Sequence, residues 1–332
     1  MRHGFGESTS FRAEPFKAAF WLPSPHGQTI GGRLLRRARP PVFERWRLDT
    51  TDGDFLDLDI PPSPAPTPPL VVLFHGLEGS ARRGYAINTY NELYTRGIAA
   101  IGVNFRSCSG ELNRTARFYH SGETGDIRFV LDSVRTRYPG RGLGAVGFSL
   151  GGNALLKYLG EEGERAVLDC AVAISVPYDL GAGARLLDSN VMGRFYSRIF
   201  IKSLIQKTEG KAALLADRCE LDRVRAARSF WEFDDAATAP LHGFAGADDY
   251  YARSSSAQFI ERIRRPTLLL HAQDDPFVPP DAVPHHAIAG NPLITAEITA
   301  QGGHVGFIGG TPWKPVFWCE RQSAVFLAAQ MR

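Results

Sequence analysis

This sequence of 332 residues is poor in cysteine and has no long apolar run. Its four cysteines, Cys108, Cys170, Cys219 and Cys319, lie far apart, which excludes a disulfide framework and a clustered cysteine metal site. We expect reduced, mostly buried thiols in a cytoplasmic protein. No apolar stretch is long enough to cross a bilayer, and the polar residues within 1–14 contain no secretory core. Stable membrane insertion is therefore not expected.

The chain also lacks a large excess of either charge. The formal net charge is +3, and no block of lysine and arginine is long enough to favour nucleic-acid binding. The densest basic stretch contains Arg33, Arg36, Arg37 and Arg39, and we interpret it as a solvated face rather than a membrane or anion contact. Hydrophobic residues make up 44% of the chain and charged residues 22%, which is typical of a globular protein with an ample core.

Short apolar runs alternate with helical patterns from residue 70 onward. This alternation predicts an α/β fold with a mostly parallel, twisted sheet flanked by helices. The expected strands are Val42–Leu48, Phe55–Ile60, Leu70–Phe74, Ile98–Val103, Gly144–Val146, Cys170–Ser175, Thr267–Leu270 and Leu293–Ile298. The expected helices of the core are Tyr85–Arg96, Asp126–Tyr138, Ala154–Leu159 and Val316–Gln330.

We expect one domain over residues 1–332, with three parts. Residues 1–41 form an irregular extension whose apolar Phe20, Trp21 and Leu22 dock on the body, and residues 42–179 and 261–332 form the core. Over residues 180–260 the alternation lapses, which predicts a helical cap insertion. Its aromatic residues are candidates for the wall of an acyl pocket, with a small core of the insertion itself as the alternative. They are Phe230, Trp231, Phe233, Tyr250 and Tyr251.

Residues Gly147–Gly151 form the pentapeptide Gly-Phe-Ser-Leu-Gly between an apolar strand and an apolar helical pattern. This context predicts a nucleophile elbow, a sharp strand-to-helix turn from which the hydroxyl of Ser149 projects. Small residues are needed two positions before and after the serine because the turn brings the flanking backbones together. The N-terminus of the following helix points at the place where negative charge develops. Ser149 is therefore the candidate nucleophile.

A serine needs a base and an acid that orients the base. His304 is the candidate base, because it lies in a glycine-rich loop after the last strand, as expected for the chain order serine, acid, histidine. Asp275 is the preferred acid, because it follows a strand end and precedes the turn made by two prolines. Asp274 beside it, and Asp179 one strand earlier, remain alternatives.

The segment His75–Ser80 directly follows the expected strand Leu70–Phe74, where a second oxyanion donor belongs. We expect the backbone N–H groups of Leu77 and Leu150 to form the oxyanion hole. His75 and Glu78 are metal-ligand types, but no third ligand has suitable spacing. We therefore expect no metal and no cofactor.

Seven segments carry a more specific likeness: Pro25–Thr29, His75–Ser80, Asn104–Gly110, Tyr119–Gly122, Gly147–Asn153, Asp274–Phe277 and Gly302–Phe307. In order and spacing they resemble the YheT-like α/β hydrolases, the branch with medium-chain fatty-acid ethyl ester synthase/esterases and ABHD-type lipid hydrolases. The resemblance covers about residues 21–310 and implies an α/β-hydrolase fold with a triad at Ser149, Asp275 and His304. It also implies hydrolysis or transfer of acyl groups on short- to medium-chain esters. Ser107 departs from the family, which usually has glycine there.

We therefore expect a serine carboxylesterase that forms an acyl-enzyme, resolved by water or by transfer of the acyl group to an alcohol. An amidase or peptidase with the same triad and a catalytically inactive binding scaffold remain as alternatives. Ser149 excludes epoxide hydrolase and dehalogenase chemistry, which needs aspartate at the elbow. The expected partner is a small-molecule ester, and the oligomeric state is left open.

Overall fold

An eight-stranded sheet lies at the centre of the computed structural model, which describes residues 11–331. In chain order its strands are β1 (Glu44–Asp49), β2 (Phe55–Ile60), β3 (Leu70–Phe74), β4 (Ala99–Asn104), β5 (Leu143–Phe148), β6 (Cys170–Ile174), β7 (Thr267–Ala272) and β8 (Ile294–Thr299). Their order across the sheet is β1-β2-β4-β3-β5-β6-β7-β8. Strand β2 pairs antiparallel with both β1 and β4, and every other pair of neighbouring strands in this sheet is parallel. This confirms the predicted α/β class with a mostly parallel sheet.

Helices cover both faces of this sheet. The long ones are α1 (Pro25–Leu35), α2 (Gly84–Tyr94), α3 (Gly125–Arg137), α4 (Leu150–Glu162), α5 (Leu180–Ser189) and α6 (Val191–Glu209). Shorter ones follow as α7 (Ala212–Leu215), α8 (Leu221–Ala226), α9 (Phe230–Phe233), α10 (Ala239–His242), α11 (Ala247–Ser254) and α12 (His285–Gly290), and α13 (Trp318–Gln330) is the last. A two-stranded hairpin of β9 (Ile308–Thr311) and β10 (Lys314–Phe317), which the sequence did not predict, precedes α13.

The central strands are buried on both faces. In β3, Leu70, Val72 and Phe74 pack into the apolar cluster beside α3 and α4, whereas Val71 and Leu73 pack into the cluster beside α2 and α13. Side chains of a strand alternate between faces, so a strand covered by helices on both sides needs apolar residues at every position. This is why β3 is a continuous apolar run.

Helices α5 to α11 lie in the chain between β6 and β7. They have an apolar cluster of their own, which includes Ile201, Val224 and Phe233. A single π-helical turn, Asp234–Thr238, joins α9 to α10. These helices border the cavity described below, so their position above the sheet bears directly on the site.

The N-terminal region differs from the expected irregular extension because it contains α1. Ser24 caps this helix, since its Oγ accepts the N–H of Gly27 at 3.0 Å, and Pro25 occupies the first position. A serine followed by proline is a helix start signal. Phe20 is 79% exposed and does not dock on the body, whereas the Trp21 indole donates to the Gly310 carbonyl at 3.1 Å.

The basic stretch is a solvated face except at Arg36. Its guanidinium is buried, forms an ion pair with Glu320 of α13 and donates to the Gly306 carbonyl at 3.0 Å. Arg33, Arg37 and Arg39 are exposed as expected. Arg36 is buried because a carboxylate 284 residues away meets it in the fold, and this partner cannot be recognised from local sequence.

Ser107, the departure from the family pattern, has φ of +62°. Glycine adopts this left-handed region readily and other residues do so at a cost. The Ser107 hydroxyl offsets that cost, because it donates to Asn113 Oδ1 at 2.6 Å and accepts the Asn113 N–H at 3.1 Å. The usual glycine of the family thus has a conformational reason, and this chain replaces it with a hydrogen-bonded serine.

Candidate active site

The candidate nucleophile lies in a strained turn. Ser149 follows the last residue of β5, precedes α4 and has φ of +50° and ψ of −117°. A Cβ atom on Gly147 would lie 2.6 Å from the carbonyl oxygen of Gly151, and one on Gly151 would lie 2.5 Å from that of His75. The expected need for small residues around the serine is confirmed, because any side chain at these two positions would overlap backbone.

Three predicted residues meet at this turn. His304 Nε2 lies 2.8 Å from Ser149 Oγ, and His304 Nδ1 lies 2.8 Å from Asp275 Oδ2 and 3.0 Å from Oδ1. Asp275 and His304 are both buried. With the carboxylate at Nδ1, the imidazole carries its proton there and leaves Nε2 free to accept the serine proton. The arrangement has the geometry of a base aligned on a nucleophile.

The loop that carries His304 is held from two sides. The backbone N–H of His304 donates to Thr29 Oγ1 in α1 at 2.9 Å, and that of Val305 donates to Ser175 Oγ at 2.9 Å. Val305 has φ of +56°, so these bonds stabilise an unfavourable backbone conformation. The sequence analysis did not identify Thr29 or Ser175 as residues that hold this loop. For Thr29 the available signal was its place in the segment Pro25–Thr29.

The competing aspartates have other contacts. Asp274 Oδ1 accepts the N–H of Gly303 at 2.9 Å, and burial raises the pKa of this carboxyl. Asp179 is the N-cap of α5, where its Oδ1 accepts the Ala182 N–H at 2.9 Å. Asp275 alone of the three contacts the His304 ring in the described part of the chain. Geometry therefore favours Asp275 as the acid.

An aromatic ring that the sequence analysis did not single out covers the imidazole. Phe277 stacks on His304 with ring centroids 4.3 Å apart and an angle of 14° between the planes. Its backbone N–H also donates to Asp275 Oδ1 at 2.8 Å. Phe277 thus orients both partners, and its position two residues after the acid was the available signal.

Two backbone donors near Ser149 are free. Within residues 11–331, the N–H groups of Leu77 and Leu150 donate to no protein acceptor, whereas those of Gly76 and Glu78 each donate to a tyrosine hydroxyl. The loop lies against the elbow, since a Cβ atom on Gly76 would be 3.2 Å from Ser149 Cβ. Free donors at the N-terminus of a helix are suited to stabilising an oxyanion. The two predicted donors are thus available for that role.

The side chain of Glu78 ties this loop to helix α6. Glu78 has φ of +53°, and its Oε1 accepts from Tyr119 Oη at 2.8 Å and from Lys207 Nζ at 2.7 Å. Ser203 of α6 donates to Oε2. The Tyr119 hydroxyl also accepts the backbone N–H of Glu78 at 2.7 Å. The loop beside Ser149 is therefore anchored to two separate parts of the chain.

His75 has a structural place beside the site. Its Nδ1 donates to the Gly76 carbonyl at 2.7 Å, and its Nε2 accepts the Phe105 N–H at 3.2 Å. Burial lowers the pKa of His75 to about 3, so the ring is neutral at physiological pH. Both ring nitrogens are engaged, which leaves no lone pair of His75 for a metal.

Another group of metal-ligand residue types is formed by His120, Glu123 and His242, whose candidate ligand atoms lie within 4.8 Å of one another. The Arg117 guanidinium already forms an ion pair with Glu123. His120 Nδ1 accepts the Gly122 N–H at 3.1 Å, so the neutral ring carries its proton on Nε2, which faces Glu123. A cation would have to displace both the guanidinium and this proton. We interpret the group as a structural cluster of hydrogen bonds and ion pairs.

A cavity of about 790 Å³ opens onto Ser149 and His304. Four of the five aromatic residues predicted for the acyl pocket line it: Phe230, Phe233, Tyr250 and Tyr251. Trp231 does not, because its side chain is 41% exposed and its indole donates to Asp248 Oδ1 at 3.0 Å.

Helix α6 supplies a further part of the wall, through Phe195, Tyr196, Ile199, Phe200 and Leu204, which the sequence analysis missed. Their spacing along one helix was the available signal.

One carboxylate lies in this mostly apolar wall. Asp234 begins the π-helical turn and accepts from Tyr251 Oη at 2.8 Å and from Thr238 Oγ1 at 2.6 Å. Burial raises the pKa of Asp234 to about 6. Single π-helical turns often occur at functional sites. Asp234 is therefore a polar contact point within the cavity.

No helix among residues 11–331 is both long enough and apolar enough to cross a membrane.

Comparison with known proteins agrees with this architecture. The sequence profile described as the alpha/beta hydrolase fold matches residues 69–311. The chain is 38% identical over 299 residues to the Escherichia coli K12 protein YheT, whose name describes it as an esterase, with 89% of this chain and 87% of YheT covered. It is 35% identical over 246 residues to the monoacylglycerol lipase of Saccharomyces cerevisiae, with 72% of this chain and 55% of the lipase covered.

Solved structures show the same fold. The Pyrococcus furiosus esterase PF2001 superposes with a TM-score of 0.57 at 16% identity, covering 99% of this chain and 100% of the esterase. At this identity the likeness concerns the fold alone. The profile match and the extensive identity to YheT carry the assignment. The chain therefore belongs to the α/β-hydrolase fold family, as a YheT-like hydrolase of the carboxylesterase type.

Proposed function

We propose that this enzyme cleaves carboxylic esters of short- to medium-chain acyl groups through a covalent intermediate on Ser149. The observation that carries the proposal is the continuous hydrogen-bonded series from Asp275 through His304 to Ser149, which faces a largely apolar cavity. An apolar cavity favours an acyl chain, because each buried methylene contributes about 0.8 kcal/mol.

In the proposed reaction, Ser149 Oγ attacks the ester carbonyl carbon while His304 Nε2 takes the hydroxyl proton. Asp275 stabilises the resulting imidazolium. The N–H groups of Leu77 and Leu150 bind the negatively charged oxygen, and one such donor is typically worth about 3 kcal/mol in the transition state. The tetrahedral intermediate collapses, and the departing alcohol takes the proton from His304. Water then attacks the acyl-enzyme by the same route and releases the acid, or an alcohol attacks and gives a new ester.

A series of p-nitrophenyl esters of increasing acyl length tests the substrate class. We expect kcat/KM to rise by about fourfold per carbon, since about 0.8 kcal/mol per methylene is gained, and to fall once the cavity is full. Values that do not depend on chain length would contradict an acyl pocket. Adding an alcohol and measuring the new ester by chromatography tests acyl transfer.

The helical segment 180–260 is proposed to act as a cap whose inner side selects the acyl chain. Phe200 of α6 lines the cavity near Phe230 and Phe277, with ring centroids 6.2 Å from each. We expect Phe200→Ala to move the optimum of the p-nitrophenyl ester series towards longer chains, because the truncation enlarges the cavity. Trp231→Ala is the matched control and should leave the optimum in place, because the indole lies outside the cavity. An unchanged optimum in Phe200→Ala, with a lower melting temperature, would show that the aromatic residues only stabilise the cap.

The loop that contains Leu77 and Glu78 is anchored by Tyr119, and this leads to another prediction. Tyr119→Phe removes the hydroxyl that holds the backbone and the carboxylate of Glu78. We expect kcat to fall by about tenfold with KM little changed, because the adjacent Leu77 N–H is no longer held for the oxyanion.

Tyr158→Phe removes the hydroxyl of another buried tyrosine, in α4, whose partner is the Val167 N–H at 3.4 Å, and serves as the control. Each variant should lose about 1 kcal/mol of stability, but kcat should fall only in Tyr119→Phe. A rise of KM at constant kcat would instead assign Tyr119 to substrate binding.

A cytoplasmic location is proposed from the thiols. None of the four cysteines forms a disulfide in the described structure, and Cys108, Cys170 and Cys319 are buried. Unpaired thiols are typical of reducing compartments. Cell fractionation with an antibody against the protein tests this location, and recovery from an oxidising compartment would contradict it.

A further inference from the structure

Two helices beside the cavity mouth, α1 and α6, each carry a row of exposed apolar side chains. Ile30 and Leu34 of α1 are 40% and 60% exposed, and Val191, Phe195 and Ile199 of α6 are 73%, 51% and 43% exposed. In each helix the residues are four apart, so they form a row along one side. Such a row has no partner within the described chain.

The two rows belong to one surface. His26 of α1 and Tyr196 of α6 are in contact, with Nδ1 3.0 Å from the phenol oxygen. Four residues of these rows also line the cavity, namely Ile30, Leu34, Phe195 and Ile199. A residue that is both exposed and part of the cavity wall lies at the mouth. We call this surface the rim and define it as Ile30, Leu34, Val191, Phe195 and Ile199.

The same helices carry positive charge around the rim. Their exposed basic residues are Arg33, Arg194, Arg198 and Lys202. Helix α1 has no carboxylate, and the only one in α6, Glu209, lies at the far end, where it forms an ion pair with Arg225 at 2.9 Å. The exposed side chains of these two helices therefore carry an excess of positive charge around the rim, although the net charge of the chain is small and Asp188 of α5 lies near Arg194.

We propose that the rim docks on the surface of anionic phospholipid bilayers. Apolar side chains among basic ones are the pattern of helices that lie in the membrane interface, where the apolar residues enter the acyl boundary and the cations meet anionic headgroups. This docking is reversible and differs from insertion of a spanning helix. It places the cavity mouth against the bilayer, so that an acyl ester could enter without crossing water. This docking rests on the proposed esterase activity and extends it to substrates held in a membrane. For Arg33 it replaces the solvated face expected from the sequence with a contact to anionic headgroups.

Vesicle binding tests the proposal without catalysis. The Ser149→Ala protein is mixed with vesicles of phosphatidylcholine and phosphatidylglycerol, or of phosphatidylcholine alone, and centrifuged. We expect binding at least about tenfold tighter to the anionic vesicles. Raising the salt from about 0.1 M to about 1 M should weaken it, because the Debye length falls from about 10 Å to about 3 Å. Equal binding to both vesicles, or none, would overturn the proposal and leave the esterase assignment untouched.

Charge reversal locates the surface. Arg198→Glu with Lys202→Glu should weaken binding to the anionic vesicles by about tenfold or more, and should leave hydrolysis of a water-soluble p-nitrophenyl ester unchanged, because neither side chain lines the cavity. The control is Arg262→Glu with Arg264→Glu, which makes the same charge change beside the C-terminal end of α4, about 20 Å from its N-terminus. Equal loss of binding in both double variants would overturn the assignment to the rim.

The contribution of the apolar rim side chains to vesicle binding is tested separately. Val191→Ser should also weaken vesicle binding, whereas Tyr94→Ser, an exposed side chain in the last turn of α2, should not. Sedimentation velocity of the free protein tests whether a second copy of the chain, rather than a membrane, covers the rim. A dimer that Val191→Ser dissociates, together with no vesicle binding, would overturn the proposal in favour of a contact between two copies.

Discussion

Replacing Ser149 with alanine is expected to lower kcat for p-nitrophenyl ester hydrolysis by about 10⁶. The loss is this large because the acyl-enzyme cannot form without the hydroxyl, and neither His304 nor the oxyanion donors can replace it. Within the described chain the only hydrogen-bond partner of this hydroxyl is His304, at 2.8 Å, so its removal should leave the fold intact. Circular dichroism and thermal melting check the fold, and burst-phase and steady-state kinetics measure the loss.

Covalent labelling tests the assignment of Ser149 as the nucleophile without a measurement of turnover rate. A fluorophosphonate should modify the peptide that contains Ser149, as read by mass spectrometry, and should not modify the Ser149→Ala protein. An adduct on another serine would contradict the assignment of the nucleophile. No adduct on the native protein, with no ester turnover, would favour the binding scaffold over the enzyme. Turnover of amides faster than of esters would favour the amidase alternative.

Asp275→Asn should lower kcat by about 10⁴. The carboxylate contacts His304 Nδ1 through both oxygens, at 2.8 Å and 3.0 Å, and so selects the tautomer whose Nε2 can accept the serine proton. An amide can offer its N–H to Nδ1, which leaves the proton on Nε2 and the base unable to act. KM should change little, because Asp275 is absent from the cavity wall. Steady-state kinetics on one p-nitrophenyl ester separates the two constants.

The neighbouring aspartates provide matched controls. Asp274→Asn and Asp179→Asn make the same chemical change, but their carboxylates accept backbone N–H groups of Gly303 and Ala182. Each should reduce kcat far less than Asp275→Asn, with losses chiefly in stability. If Asp179→Asn proved the most damaging of the three, the acid would lie one strand earlier than proposed.

Local sequence carried much of this architecture. Strands β2 and β3 were predicted with the bounds that the structure has, because the alternating pattern of β2 lies between the turn 51–54 and Pro61 and the apolar run of β3 begins directly after Pro69. The elbow was predictable for a related reason. Gly147 is required by the backbone of Gly151 and Gly152 in the same short segment, so this requirement is local, whereas Gly151 is required by the backbone of Phe74 and His75 at the end of β3, which only the fold brings close.

Tertiary structure decided the features that depend on distant partners. Arg36 appears in a basic stretch and is buried, because Glu320 meets it from α13. Trp231 stands beside Phe230 in the sequence, yet it faces outward, because Asp248 accepts its indole N–H on the outer side of the cap. Residue type and spacing do not show that the Arg36 side chain is buried or that the Trp231 side chain faces outward.

Within helix α6 alone, some features follow from the sequence and others depend on how the helix packs. Its sequence contains apolar residues on more than one side, and spacing alone does not tell which side faces the cavity. Phe200 lies over the cavity, in contact with Phe277, while Val191 remains in solvent at the rim. The sequence by itself determined that this chain has a helical insertion and an elbow. Only the packing of that insertion on the sheet decided which of its side chains form the pocket, because helical periodicity defines a face but not its neighbour.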